Sequence, residues 1–111
     1  MNTLATKIDI KTIDLKAKQW FDKVNGNSYF SAQATINFGM SDEKTVYMPF
    51  QYGYGDSYLS AAIHQLQTDD ILPNDETIYS FTMWCRENNI ILRYSKDVNC
   101  LQRDVKAFGR N

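Results

Sequence analysis

The chain has 111 residues and a formal net charge of −1, with 43% hydrophobic and 23% charged residues. This length suits one domain over residues 1–111 with a sufficient core of its own, and we expect residues 1–7 to be flexible. The near-zero charge argues against a protein that wraps duplex DNA and against a highly acidic DNA mimic.

The sequence favours a cytoplasmic protein without a membrane segment. It contains no run of 18 apolar residues, and its N-terminus lacks the apolar core of a signal peptide. Cys85 and Cys100 lack the spacing of metal ligands, so we expect reduced thiols, no metal and no cofactor.

Two strands are predicted first, joined as an antiparallel hairpin. Residues 8–21 alternate, with a change of parity near Thr12 that indicates a bulge or a break. Asn25 and Gly26, which both accept positive φ, mark the turn. Residues 28–38 alternate cleanly, and their predicted core face consists of Phe30, Ala32, Ala34, Ile36 and Phe38.

Residues 45–52 predict a third strand, placed at an edge or bulged because Pro49 cannot donate to a ladder. Apolar residues at helical spacing then predict a helix over 57–67, with Asp56 or Ser57 as its N-cap. Trp20 is expected to anchor the core, as is Trp84.

A second helix is predicted over 74–88, capped by Asn74 or Asp75, and a fourth strand over 89–98. Residues 100–109 fit a short helix or a final edge strand. The predicted fold class is α+β: a three- to four-stranded antiparallel sheet with two helices packed on one face, in the order β-β-β-α-α-β.

The segment "YGYGD" joins the third strand to the first helix. We interpret it as structural, because Gly53 and Gly55 permit a turn that a β-carbon would obstruct and Asp56 caps the helix. Two alternatives stay open: an anion pocket at the helix N-terminus, and an aromatic contact surface.

Four segments carry a resemblance to known proteins: "WFDKVNGNSYFSAQATI", "YGYGDSYLSAA", "WCRENNIILRYS" and "RDVKAFG". Over residues 10–109 the chain resembles a group of small uncharacterised proteins of bacteriophages and prophages. They share a Trp ahead of an N-[ST]-Y hairpin, a YGYG joint and a C-terminal Arg-Asp pair. The resemblance implies an accessory protein of the host cytoplasm, and such proteins are mostly binders that inhibit host defence or assist nucleic-acid metabolism.

We therefore expect a non-enzymatic module that binds a host or phage protein. A homo-oligomer stays open. The alternative is a single-stranded nucleic-acid binder that stacks bases on sheet tyrosines and binds the phosphate backbone with its C-terminal third. In that third, residues 86–110 carry six positive and three negative charges. An enzyme that uses Asp56 and His64 ranks last, since no motif supports it. The candidate binding residues are Tyr29, Tyr47, Tyr52, Tyr54, Tyr58, Arg93, Arg103 and Lys106.

Overall fold

The computed structural model describes residues 9–109; the expected flexible segment 1–7 lies outside this range. In chain order the elements are β1 Thr12–Asp22, β2 Asn27–Ile36, β3 Lys44–Tyr52, α1 Ser57–Thr68, α2 Phe81–Glu87, β4 Ile91–Asp97 and α3 Gln102–Phe108.

The four strands form one sheet in the order β3-β2-β1-β4. β1, β2 and β3 pair antiparallel as a meander, whereas β4 returns beside β1 and pairs with it in parallel. The α+β class is therefore confirmed, but the sheet is mixed and not antiparallel. The physical reason is the crossover: α1 and α2 carry the chain back along the sheet, so β4 runs in the direction of β1.

The predicted core face of the second strand is confirmed for four of its five residues. Phe30, Ala32, Ala34 and Ile36 are buried. Phe38 was expected among them and is 67% exposed, because β2 ends at Ile36 and Asn37 turns the chain away with a φ of 54°. Other buried members of this core are Ile13, Leu15, Ala17, Val46, Met48, Ala62, Ile63 and Leu66.

The hairpin between β1 and β2 is confirmed, although its turn differs from the expected one. The pair Asp22 and Asn27 closes a four-residue loop, in which Gly26 has a φ of 72° and Asn25 does not adopt positive φ. The Asp22 carboxylate accepts hydrogen bonds from the Asn25 side chain and from the backbone N–H groups of Asn25 and Val24. These bonds lower the pKa of Asp22.

Pro49 marks both an edge strand and a bulge, as its chemistry predicts. β3 is an outer strand of the sheet, and the register slips by one residue between Phe30 and Ala32. As a result Pro49 and Phe50 together lie opposite Ser31.

The first helix matches its prediction closely, but the second is shorter. α2 begins after Ser80, whose hydroxyl accepts the Met83 N–H. Asn74 and Asp75 are not its cap: the Asp75 side chain instead accepts the Thr77 N–H in a local turn. Such side-chain turns compete with helix formation.

The C-terminal segment is a helix, and it packs on the sheet face opposite α1. The Ser31 hydroxyl donates to the Val105 carbonyl at 2.5 Å, and the Gln33 amide donates to the Phe108 carbonyl at 3.0 Å. Ser31 and Gln33 alternate with the core-facing residues of β2, so α3 covers the second face and helices flank both faces. We call this second face the α3 face.

Candidate functional site

Aromatic side chains from three strands meet on the α3 face. Strand register places Trp20 beside Tyr29, and Tyr29 beside Tyr52. The bulge adds Phe50, because the slipped register turns its ring to the same face as Tyr29. Tyr54 continues the group beyond the end of β3. We call these five residues the aromatic surface.

The central rings of the aromatic surface stack on one another. The Tyr29 and Phe50 centroids lie 5.2 Å apart with an angle of 6° between the ring planes, and those of Trp20 and Tyr29 lie 5.7 Å apart at 29°. Tyr52 meets Tyr29 edge-on at 5.9 Å, and Tyr54 meets Tyr52 edge-on at 6.5 Å. Tyr52 and Tyr54 are 61% and 64% exposed. The cluster is therefore half-buried at its centre and presents two accessible tyrosines.

Two lysines flank the aromatic surface. Lys106 of α3 places its Nζ 5.3 Å from the centroid of Phe50, and Lys18 of β1 places its Nζ 5.2 Å from the centroid of Phe108. Both distances fall within the range of cation–π attraction. The surface thus has an apolar centre and a cationic margin on the side of α3.

The predicted tyrosines divide between the two faces. Tyr29, Tyr52 and Tyr54 belong to the aromatic surface, and Tyr47 lies on the same face beside Gln33. Tyr58 is instead buried in the core at the start of α1. Burial raises the pKa of Tyr58, helped by the nearby charge of Asp56.

The predicted basic residues do not form a continuous track. Lys106 adjoins the aromatic surface and Arg103 is exposed on α3. Arg93 lies on β4, where its Nε and one terminal nitrogen bind the Asp14 carboxylate at 2.6 and 3.2 Å. This partner raises the pKa of Arg93. Lys96 is also engaged: its Nζ donates to the Gly55 carbonyl at 2.7 Å.

The two glycines of the joint are required for different reasons. Gly55 has a φ of 59°, which favours glycine. Gly53 does not adopt a positive φ, but a β-carbon there would lie 2.6 Å from the Phe30 ring. Asp56 occupies the N-cap position of α1 as predicted, although its side chain makes no capping hydrogen bond. Both glycines are thus accounted for by geometry alone.

The remaining reactive residues are dispersed. His64 is exposed on α1, and no group of three or more His, Cys, Asp or Glu side chains within residues 9–109 could hold a metal ion. Cys85 is buried in the core, and burial raises the pKa of its thiol to about 12. Cys85 therefore remains a protonated, unreactive thiol at neutral pH.

Sequence reasoning missed three residues of this region: Trp20, Phe50 and Lys18. The signal for Trp20 and Lys18 was present, since both alternate with the buried residues Leu15 and Ala17 of β1. Phe50 was not recoverable from alternation, because the bulge at Pro49 reverses the parity of β3. Trp20 therefore does not anchor the main core, whereas Trp84 packs against it.

Comparisons with protein-family models, curated proteins and solved structures give no match. None of the helices in the described part of the chain is long and apolar enough to cross a membrane.

Proposed function

We propose that this chain is a non-enzymatic, phage-type accessory protein that binds a host or phage protein through the aromatic surface. The cytoplasm of the host cell is its place of action, and inhibition of a host defence system is the role we favour. The observation that carries the proposal is the cluster of Trp20, Tyr29, Phe50, Tyr52 and Tyr54 on one face. Aromatic residues are enriched at the centres of protein interfaces.

The orientation of the rings supports a protein partner over unpaired bases. A base needs a free ring face on which to stack. Trp20, Tyr29 and Phe50 contact one another as a triangle, with centroid distances of 5.7, 5.2 and 6.3 Å, and Lys106 lies over Phe50. These three rings therefore pack on one another, and the exposed Tyr52 and Tyr54 suit contact with side chains and backbone groups of a protein.

The margin of the surface suggests the chemistry of its partner. Lys106 would face a carboxylate at the rim of the interface, as would Lys18, whose contact with Asp97 in its own chain is long at 4.0 Å, while the central rings would cover an apolar patch. We therefore expect a partner with apolar side chains bordered by Asp or Glu.

Single-stranded nucleic acid is the second candidate. The observation in its favour is the exposure of Tyr52 and Tyr54 beside a lysine-bearing helix. Against it, Arg93 and Lys96 are held by Asp14 and Gly55, so fewer cations remain for phosphates. Binding of this kind would weaken steeply with salt.

The test is affinity capture from host lysate with the tagged chain, with and without nuclease, at two salt concentrations. The informative variant is Tyr52→Ala/Tyr54→Ala. Tyr79→Ala is the matched control, because Tyr79 is 80% exposed and lies outside the aromatic surface. We expect wild type and Tyr79→Ala to capture the same defined protein in the presence of nuclease, and Tyr52→Ala/Tyr54→Ala to fail to capture it. Once purified, this protein should bind the wild-type chain directly.

Two results would contradict the proposal. Capture that depends on nucleic acid, confirmed by oligonucleotide binding that the double variant abolishes, would promote the second candidate. Equal capture by wild type and Tyr52→Ala/Tyr54→Ala would place the interface elsewhere on the molecule.

A further inference from the structure

β4 is an outer strand with an open edge. The Ile91 N–H donates to the Lys11 carbonyl, so Ile91 and alternate residues after it direct their backbone groups toward β1. Leu92, Tyr94 and Lys96 therefore direct theirs outward. Within residues 9–109 the sheet ends at β4, with no strand beyond it.

The two edges of the sheet are protected differently. β3 carries Pro49 and a bulge, which are devices that prevent strand addition. β4 has neither of them. Its charged side chains also leave the edge accessible, because Arg93 is held by Asp14 and Lys96 reaches back to Gly55. β4 is consequently the edge at which another strand can add.

The segment from Leu92 to Val98, which extends one residue beyond β4, is complementary to itself when its order is reversed. Residues 92–98 read "LRYSKDV", with Ser95 at the centre. On either side of it stand Tyr94 and Lys96, then Arg93 and Asp97. The outermost residues of the segment are both apolar, Leu92 and Val98. An antiparallel pair of such strands brings unlike charges, a lysine and an aromatic ring, and two apolar side chains opposite each other.

We propose that β4 pairs with β4 of a second copy of this chain, antiparallel and centred on Ser95. Arg93 then lies opposite Asp97 of the second copy, twice by symmetry. Tyr94 lies opposite Lys96, and Leu92 opposite Val98. This inference goes beyond the proposed function, since it uses the sheet edge and leaves the aromatic surface uncovered.

The backbone geometry agrees with this register. The outward residues Tyr94 and Lys96 pair with each other across the two copies, so each of these pairs exchanges two backbone hydrogen bonds. Arg93 and Asp97 form a pair without backbone hydrogen bonds, in which side chains approach more closely. The Arg93 guanidinium uses two of its nitrogens on Asp14, and its remaining donors can bind a second carboxylate.

Neighbouring registers are less favourable. A centre on Tyr94 places Asp97 opposite Ile91 and leaves Arg93 opposite Ser95. A centre on Lys96 places two lysine ammonium groups opposite each other, which is repulsive. The exposed Ile91 and Val98 side chains, at 58% and 50%, are also partly covered in the Ser95-centred pair.

The first test is a charge exchange followed by sedimentation of the full chain. Asp97→Arg alone places arginines opposite each other, and Arg93→Asp alone places aspartates opposite each other. We expect wild type to sediment at twice the chain mass, each variant at the chain mass, and an equimolar mixture of the two variants at twice the chain mass again. Asp42→Arg, an exposed change of the same charge outside β4, should stay dimeric.

The second test does not depend on those variants folding normally. In a Cys100→Ser background, Ser95→Cys should form a symmetric disulfide under mild oxidation. The two copies of residue 95 form a pair without backbone hydrogen bonds, in which the β-carbons approach most closely, to about 4.5 Å, and this is at the upper end of the range for a disulfide. Ser60→Cys on exposed α1 is the matched control. A wild-type chain that sediments as a monomer, or crosslinking at Ser95→Cys no faster than at Ser60→Cys, would overturn the proposal.

Discussion

Gly53 lies where a β-carbon would collide with the core. The added atom would stand 2.6 Å from the Phe30 Cε1 atom and 3.0 Å from the Ser57 Cβ atom. We expect Gly53→Ala to lower the free energy of unfolding by about 1–3 kcal/mol through overpacking, measured by urea denaturation.

A double-mutant cycle separates this contact from a general effect of replacing glycine. Phe30→Leu removes the ring atoms that the new methyl group meets, so Gly53→Ala should cost less in that background. Gly55→Ala, at a φ of 59° with open space around it, should cost about 1–2 kcal/mol whichever residue occupies position 30. Equal costs of Gly53→Ala in both backgrounds would contradict the steric explanation.

Asn37 connects the end of β2 to the start of β1. Its side-chain oxygen accepts the Lys11 N–H at 2.6 Å and the Thr12 N–H at 3.2 Å, and its amide donates to the Asp9 carbonyl at 3.1 Å. We expect Asn37→Ala to destabilise the chain by about 1–3 kcal/mol more than Asn89→Ala, measured by thermal and urea unfolding.

The comparison isolates the side chain because both asparagines adopt positive φ, at 54° and 58°. Asn89 is exposed, whereas Asn37 is fully buried. Equal destabilisation by the two substitutions would show that the backbone conformation, and not the buried amide, accounts for the cost.

At the scale of elements, α3 depends on a close approach to the sheet at Gly109. A β-carbon there would lie 2.9 Å from the Ser31 Cβ atom and 3.0 Å from the Met48 carbonyl oxygen. We expect Gly109→Val to lift the end of α3, which should raise amide hydrogen exchange in residues 102–108. Amides at the β1–β2 interface should keep their protection, since that pairing does not involve α3. Unchanged exchange in α3 would show that the helix docks without this contact.

Elements with a strong local signal were predictable. The alternation of β2 and the helical spacing of α1 gave their boundaries within two residues, because one face of each is buried throughout. α2 was predicted too long, since the polar segment before Ser80 has good caps but forms a side-chain turn at Asp75. The helical form of residues 102–108 stayed open, because its short apolar pattern also fits a strand.

At the scale of the whole molecule, the direction of β4 and the face chosen by α3 could not be read from the sequence. Both depend on contacts between distant segments, such as Ser31 with Val105. For the same reason, only part of the candidate site could be predicted. Tyr29 follows from alternation, whereas the placement of Phe50 and Tyr52 on this face needs the bulge, and the burial of Tyr58 needs the packing of α1.

The parallel pairing of β1 with β4 also has a consequence for biosynthesis. Arg93 and Asp14, bonded across this pair, are 79 positions apart in the chain. The meander of β1, β2 and β3 is synthesised first, and β1 remains its outer edge until β4 has left the ribosome. Contacts of such long sequence separation form slowly, and an unpaired strand edge recruits other chains. We therefore expect the nascent N-terminal half to be the stage at which this protein is most prone to aggregate and most dependent on chaperones.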